Sequence, residues 1–141
     1  DSILLGSIWR DEMDQETLLI LLDQWESVYK KGLLSFWVLL LLHERPSYVF
    51  EMGQELSGIS QGSISADEKS LYRALRRFEA MGVVESTWQP SEVGPRRRYY
   101  ALTDLGTALL RQFAQRNVLI FREPAVTERL EAMLQEEDGT A

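Results

Sequence analysis

The chain has 141 residues, which suffices for one compact domain but not for two large ones. Hydrophobic residues make up 45% of it, so a core can form, and the absence of cysteine excludes disulfides, thiolate catalysis and cysteine metal sites. The net charge of −7 at first argues against a nucleic-acid partner. A local cationic patch could still bind one, so the distribution of the charges matters more than their sum.

The first predicted element is a helix from about Asp14 to Lys31, after ten residues without a clear pattern. Its apolar residues recur at helical spacing on one face, and Leu19 and Ile20 add a second apolar face. Because a helix with two apolar faces needs two partners, we expect it to pack on its own domain and on a second copy of the chain. A helix buried wholly within one copy is the alternative.

Gly32 is predicted to end that helix, and Leu33 to His43 to form a short central helix that is apolar all round. A buried strand is the alternative, since periodicity does not separate the two in so short a run. The apolar part is about half of what a bilayer requires, so no membrane partner is expected. Pro46 marks the next break, and Ser47 is a candidate cap for a helix from Tyr48 to Leu56 that points Val49, Met52 and Leu56 inward.

The segment from Gly58 to Ser65 is rich in Gly and Ser and is predicted to be a turn. Within it, Gly58-Ile59-Ser60-Gln61-Gly62 matches the pattern of a hydrolase nucleophile elbow. That elbow needs a preceding strand in a large parallel sheet, whereas here a helix precedes it in a short chain. A flexible turn is therefore the favoured interpretation, and neither a catalytic site nor a cofactor is expected. The lone His43 cannot build a metal site without cysteine.

A helix from Ser65 to Met81 is the best specified element, because Ser65 and Glu68 form a capping-box pattern and Gly82 supplies a left-handed stop. Its apolar stripe consists of Leu71, Ala74, Leu75 and Phe78. The opposite face carries Lys69, Arg73 and Arg76, flanked by Tyr72 and Arg77. An ordinary solvated amphipathic helix would show the same pattern, so the helix alone does not indicate a polyanion partner.

Two β-rich runs follow, Val83 to Trp88 and Arg98 to Leu102, and they predict a hairpin. The loop between them leads into three consecutive arginines, Arg96, Arg97 and Arg98, which repel one another unless an anion lies between them. Lys69 to Arg98 holds seven Lys and Arg against three Asp and Glu (+4), whereas the rest holds eight against nineteen (−11). A cationic patch on an acidic body is compatible with local phosphate contacts.

After the hairpin, Thr103 is predicted to cap a helix from Asp104 to about Arg122, which Pro124 ends or kinks. A short helix from Val126 to Leu134 and a frayed acidic tail from Gln135 to Ala141 complete the chain.

Two segments resemble signatures of the PadR-type winged-helix transcriptional regulators. The run from Ser70 to Val84 (SLYRALRRFEAMGVV) is similar to their recognition helix, and Gly94 to Gly106 (GPRRRYYALTDLG) to their wing. Arg73 stands where the family usually has proline, and Ser47-Tyr48 where it usually has Gly-Tyr. The first change puts in doubt which bases are read. Overall length and the long N-terminal helix also resemble members that act in circadian clocks.

This resemblance implies a mainly α fold with a small β-hairpin, a winged helix-turn-helix with additional N- and C-terminal dimerisation helices. It divides the chain into an N-terminal segment and dimerisation helix (1–31), a winged-helix DNA-binding domain (32–106) and C-terminal helices with an acidic tail (107–141). The expected DNA contacts are Ser65, Lys69, Ser70, Tyr72, Arg73, Arg76, Arg77, Arg96, Arg97 and Arg98. The expected dimer contacts are Leu18, Leu21, Leu22, Trp25, Phe113, Leu119 and Ile120.

The expected function is that of a sequence-specific transcriptional repressor in the bacterial cytoplasm, associated with the nucleoid, that binds double-stranded operator DNA as a homodimer. An adaptor that uses the winged helix to bind proteins is the alternative, and a hydrolase using Ser60 is a remote third. Some members of the family sense small molecules, so the aromatic helices could line an effector pocket at a dimer interface. Core and interface packing is the favoured interpretation of these aromatic residues.

Overall fold

The computed structural model describes the backbone of residues 2–137 and the side chains of residues 14–136. In this part of the chain, helices surround one antiparallel hairpin, which confirms the mainly α class with a small β-hairpin. The elements are α1 (Ser2–Glu44), α2 (Val49–Ile59), α3 (Glu68–Ala80), β1 (Val84–Gln89), β2 (Arg97–Leu102), α4 (Asp104–Asn117), a 3-10 helix (Leu119–Arg122) and α5 (Pro124–Glu137).

Helix α1 runs without interruption through Gly32, so the predicted helix end at this glycine is wrong, as is the strand alternative for the run after it. Glycine inside a helix costs only about 1 kcal/mol relative to alanine, which strong helix formers on both sides offset. Gly32 is also absent from the glycines with positive φ. The domain boundary drawn at residue 32 therefore falls inside a continuous helix.

The core lies where the second half of α1 meets α2, α3 and the hairpin. Val38, Leu41 and Leu42 of α1 are buried in it, and Met52 and Leu56 fill it from α2, as predicted. It also contains Leu71, Ala74, Leu75 and Phe78 of α3, together with Val83, Val84, Tyr100 and Leu110. This shared core holds α3 and the hairpin in a fixed relation to each other.

The hairpin is tied to the chain that precedes α2. Ser47 and Tyr100 exchange two backbone hydrogen bonds, with N–O distances of 3.0 and 2.8 Å, and form an isolated bridge beside β2. Ser47 is therefore not the cap of α2. Tyr48 occupies that position and makes no capping hydrogen bond with its side chain.

Two glycines fix the connections around the hairpin. Gly82 has φ 78° and ends α3 as predicted, because only glycine adopts this conformation without steric cost. Gly106, in the first turn of α4, packs so closely that a Cβ atom would lie 2.1 Å from the carbonyl oxygen of Val83. Thr103 caps α4 as predicted: its Oγ1 accepts from the Gly106 N–H at 3.1 Å and donates to the Gly82 carbonyl at 2.7 Å.

The C-terminal part differs from the prediction at its boundaries. Helix α4 ends at Asn117 rather than near Arg122, and the 3-10 helix follows it. Pro124 begins α5 instead of ending α4, because a residue without an N–H fits the first helical position. Helix α5 extends to Glu137, and residues 138–141 of the predicted frayed tail lie outside the described residues. Across residues 2–137, no helix is both long and apolar enough to cross a membrane.

Candidate nucleic-acid interface

Helix α3 separates its apolar and cationic residues onto two faces. Leu71, Ala74, Leu75 and Phe78 are buried, as the periodicity predicts. The opposite face is exposed to solvent and carries Lys69, Tyr72, Arg73, Arg76 and Arg77. The helix is thus anchored along one side and presents a row of cations along the other.

The cap of α3 is Asp67, so the predicted capping role of Ser65 is wrong. The Ser70 N–H donates to Asp67 Oδ1 at 2.7 Å, and this hydrogen bond is the main reason why the pKa of Asp67 is lowered from its ordinary value. The charges of Arg73 and Lys69 lower this pKa further. Ser65 lies exposed in the loop before the helix, and Ser70 is half-buried in its first turn.

The hairpin places consecutive arginines on different faces. Strands β1 and β2 pair with Trp88 opposite Arg98 and Ser86 opposite Tyr100. Successive side chains along a strand point to opposite faces, so Arg97 and Arg98 diverge. Arg96 and Arg97 are exposed, and the guanidinium carbon of Arg97 lies 4.5 Å from the ring centroid of Tyr48.

Arg98 instead joins the hairpin to α3. Its Nη2 donates to Glu79 Oε1 at 3.3 Å, and its Nε donates to Ser86 Oγ at 2.9 Å. Ser86 Oγ in turn donates to Glu79 Oε2 at 3.1 Å, so the three side chains form a closed network. The guanidinium also lies over the rings of Trp88 and Tyr100, 5.9 and 5.6 Å from their centroids. This arginine thus differs from Arg96 and Arg97 in having a carboxylate partner.

A cleft of about 470 Å³ separates α3 from the hairpin and the start of α2. It is lined by Tyr48, Val49, Phe50, Glu68, Tyr72, Arg76, Trp88, Arg96, Arg97, Arg98 and Tyr100. Aromatic rings and guanidinium groups both line this cleft. Sequence reasoning did not assign Tyr48, Phe50 or Glu79 to this region, because their places depend on how α2 and α3 pack against the hairpin.

Among the described side chains, the remaining cations of this surface have no carboxylate within ion-pair distance. Among the side chains of residues 14–136, the ion pairs within 4.0 Å join Lys30 to Glu26, Arg45 to Glu51 and Glu55, and Arg98 to Glu79. The expected contact residues without a carboxylate at that distance are Lys69, Arg73, Arg76, Arg77, Arg96 and Arg97. Helix α3 and the hairpin therefore form one cationic face, and among residues 14–136 only its Arg98 pairs with a carboxylate.

The other candidate chemistry lies elsewhere. Ser60 follows the last turn of α2, where its Oγ donates to the carbonyl oxygen of Ile64 at 3.1 Å and accepts from the Ile64 N–H at the same distance. A helix precedes it rather than a strand, which agrees with the predicted turn. Among the described side chains, no group of three or more His, Asp and Glu is placed to hold a metal ion.

The residues expected at a dimer interface are exposed. Trp25 is 79% exposed and Leu18 60%, and the side chains of residues 14–29 are all exposed along the first half of α1. Phe113 is 43% exposed, and its ring lies 5.7 Å from that of Phe36 beside an apolar hollow of about 150 Å³. This hollow is smaller than small-molecule sites, which typically measure about 300–1,000 Å³.

Comparison with known proteins identifies the fold. The model of the transcriptional regulator PadR-like family matches residues 38–112, from the end of α1 to α4. The crystal structure of a PadR-like transcriptional regulator of Bacillus cereus is 28% identical, with a TM-score of 0.57 over 74% of this chain and 94% of the other. Bacillus subtilis PadR in complex with operator DNA is 18% identical, with a TM-score of 0.53 over 57% of this chain and 46% of the other.

A third structure, of the circadian clock associated protein Pex from Anabaena, is 22% identical, with a TM-score of 0.52 over 62% of this chain and 78% of the other. The last two likenesses show the shared fold alone. The family model covers more than half of the chain and includes both segments that carry the resemblance. The fold is therefore the winged helix with extra terminal helices, and the chain belongs to the PadR-like family of DNA-binding transcriptional regulators, which are not enzymes.

Proposed function

We propose that this protein is a sequence-specific transcriptional repressor that acts as a homodimer on double-stranded operator DNA. The observation that carries the proposal is the cationic face of α3 and the hairpin, whose charges have no carboxylate partners within the described residues except at Arg98. Like charges held together repel one another, and a polyanion removes that repulsion.

Each copy lays α3 in a major groove, where Lys69, Tyr72, Arg73 and Arg76 reach base edges and phosphates. Arg96 and Arg97 of the wing contact the adjacent backbone. Arg77 lies at the edge of the face, and Ser65 and Ser70 lie near the N-terminus of α3, where backbone N–H groups favour an anion. Arg98 acts as a positioning residue, because its guanidinium is already engaged by Glu79 and Ser86.

The homodimer is supported by the first half of α1. Its exposed residues include Leu18, Leu21, Leu22 and Trp25, and burying each large apolar side chain contributes about 1.5–3 kcal/mol. Soluble monomers rarely expose so continuous an apolar surface. Phe113, Leu119 and Ile120, exposed at the end of α4 and in the 3-10 helix, extend the proposed interface. Two copies would then contact half-sites about one helical turn apart.

Repression is the finer part of the proposal. The Bacillus subtilis relative was crystallised with operator DNA. A protein bound at an operator that overlaps a promoter would block transcription. A promoter fusion tests this part: the repressor lowers reporter output in proportion to operator occupancy, whereas a rise in output would indicate an activator. A narrower role in circadian control rests on length and the long α1. If deletion of the gene leaves the period of a rhythmic reporter unchanged, a role in circadian control is excluded.

The decisive experiment is selection of bound duplexes from a random pool, followed by binding measurements at several salt concentrations. A palindromic selected site supports the dimer, and log K should fall linearly with log salt by about 0.9 for each phosphate neutralised. Replacing Arg96 and Arg97 with alanine should flatten this slope by about 1.8 per bound copy. The matched control is Arg111→Ala on α4, an exposed arginine outside the cationic face. Retention of no duplex at moderate salt would favour the protein-binding adaptor instead.

A further inference from the structure

Helix α3 is bordered by a second cationic hollow on the side away from the wing. This hollow, of about 520 Å³, lies between α1 and α3 and is lined by Lys31, Leu34, Ser70, Arg73, Ala74 and Arg77. The α3 residues Tyr72 and Arg76 line the cleft beside the wing, whereas the α3 residues Arg73 and Arg77 line this hollow. At about 100° per residue, these two pairs lie on opposite flanks of the exposed face.

The charged side chains that line the second hollow are all positive. Lys31, Arg73 and Arg77 have no carboxylate within 4.0 Å among residues 14–136. The preceding residue on α1 behaves differently, because Lys30 Nζ lies 3.5 Å from Glu26 Oε2 one turn earlier. Of these two neighbouring lysines, Lys31 alone lines the hollow together with the arginines of α3, and among the described side chains it has no ion-pair partner.

We propose that Lys31, together with Arg73 and Arg77, binds a backbone phosphate of the DNA on the flank of α3 opposite the wing. This inference rests on the proposed function and adds α1 to the surface that contacts DNA. A major groove is about 12 Å wide and is bordered by two phosphate backbones, so a helix lying in it has phosphates on both flanks. The wing and its cleft face one strand, and the hollow containing Lys31 faces the other.

In this arrangement, α1 contributes both to the proposed dimer interface and to DNA binding. Its first half carries the exposed apolar surface, and Lys31 lies where the same continuous helix approaches α3. A phosphate bound at Lys31 therefore fixes the direction of α1 relative to the DNA axis. The uninterrupted passage of the helix through Gly32 connects this part of α1, Lys31 included, to the second half of α1 that packs in the core.

The test compares Lys31→Gln with Lys30→Gln, two neighbouring variants that remove the same charge. Fluorescence anisotropy with a selected duplex should give a salt slope shallower by about 0.9 per bound copy for Lys31→Gln and a wild-type slope for Lys30→Gln. The affinity ratio of wild type to Lys31→Gln should then shrink about 3.5-fold per copy between 50 and 200 mM salt. Because phosphates carry no sequence information, the preference for the selected duplex over a scrambled one should be unchanged. Lys31→Arg should restore the slope.

A wild-type salt slope for Lys31→Gln would overturn the inference. An equal change in slope for Lys30→Gln would also overturn it, because that result would indicate only the general electrostatic potential of α1. Thermal melts of both variants establish that they are folded, which is expected for an exposed residue. If the wild-type protein binds duplexes and the wing variants flatten the slope but Lys31→Gln does not, only this inference fails. If the wild-type protein binds no duplex, the proposed function fails with it.

Discussion

The guanidinium of Arg98 lies 3.3 Å from the carboxylate of Glu79, and this ion pair connects the wing to the helix that carries most of the cationic face. Ser86 bridges the two side chains from β1. The pair is only partly exposed, with 41% of the Arg98 side chain and 27% of the Glu79 side chain accessible. We therefore expect it to set the angle between the wing and α3 rather than to offer a charge to DNA.

The first prediction separates these two roles of Arg98. Glu79→Gln should weaken DNA binding several-fold and leave the salt slope unchanged, because the wing loses its anchor while no phosphate contact is removed. If Arg98 itself bound a phosphate, removing the neighbouring negative charge would instead tighten binding. A double-mutant cycle with Arg98→Ala and Glu79→Ala should give a coupling of about 0.5–1 kcal/mol in unfolding free energy. Tighter binding by Glu79→Gln would contradict the positioning role.

The different behaviour of the three arginines shows what the sequence could and could not predict. Arg96, Arg97 and Arg98 are chemically identical, so charge alone assigned all three to DNA. Strand alternation places Arg98 on the same face as Ser86 and Tyr100, a signal that was present in the pattern. The partner Glu79 was not predictable, since its position depends on how α3 packs against the hairpin.

Local rules succeeded where one signal dominated and failed where two signals competed. The inward residues of α2 and the stop at Gly82 followed from periodicity and from glycine's tolerance of positive φ. The cap of α3 was misplaced because Ser65 and Asp67 are both good capping residues. The predicted helix end at Gly32 is wrong because strong helix formers on either side offset the small intrinsic cost of this glycine.

A second prediction contrasts two glycines in helices. Gly32→Ala should stabilise the protein by up to about 1 kcal/mol, because the position is helical and nothing lies within 4 Å of the added Cβ. Gly106→Ala should destabilise it by about 1–3 kcal/mol or more, because its Cβ would collide with the Val83 carbonyl oxygen at 2.1 Å. Denaturant unfolding measures both. Equal effects of the two substitutions would mean that the packing of Gly106 against Val83 does not constrain the fold.

A third prediction concerns self-association. Replacing Leu21 and Trp25 with glutamate should convert the proposed dimer to a monomer, because both side chains are exposed on the first half of α1 and would be buried between copies. Sedimentation velocity measures the change. The matched control is Val93→Glu, which adds a charge at a site 81% exposed on the wing loop and should leave the mass unchanged. A monomeric wild-type protein, or a dimer that tolerates both glutamates, would place the interface elsewhere or exclude it.

A fourth prediction follows from the Asp67 cap of α3. The pKa of this carboxyl is lowered in the folded protein, chiefly by the hydrogen bond from the Ser70 N–H. A lowered folded-state pKa means that the carboxylate stabilises the fold above its ordinary value of 3.8, and that this contribution is lost as pH falls below that value. Asp67→Asn keeps a capping oxygen but cannot titrate, so between pH 5 and about pH 2 it should lose less stability than the wild type. Asp67→Ala should be less stable than Asp67→Asn at neutral pH and should bind the selected duplex more weakly, because the first turn of α3 carries Lys69. If the stability of the wild type and that of Asp67→Asn fall by the same amount as the pH is lowered, the cap does not contribute. Only the wild type carries the titrating group at this position.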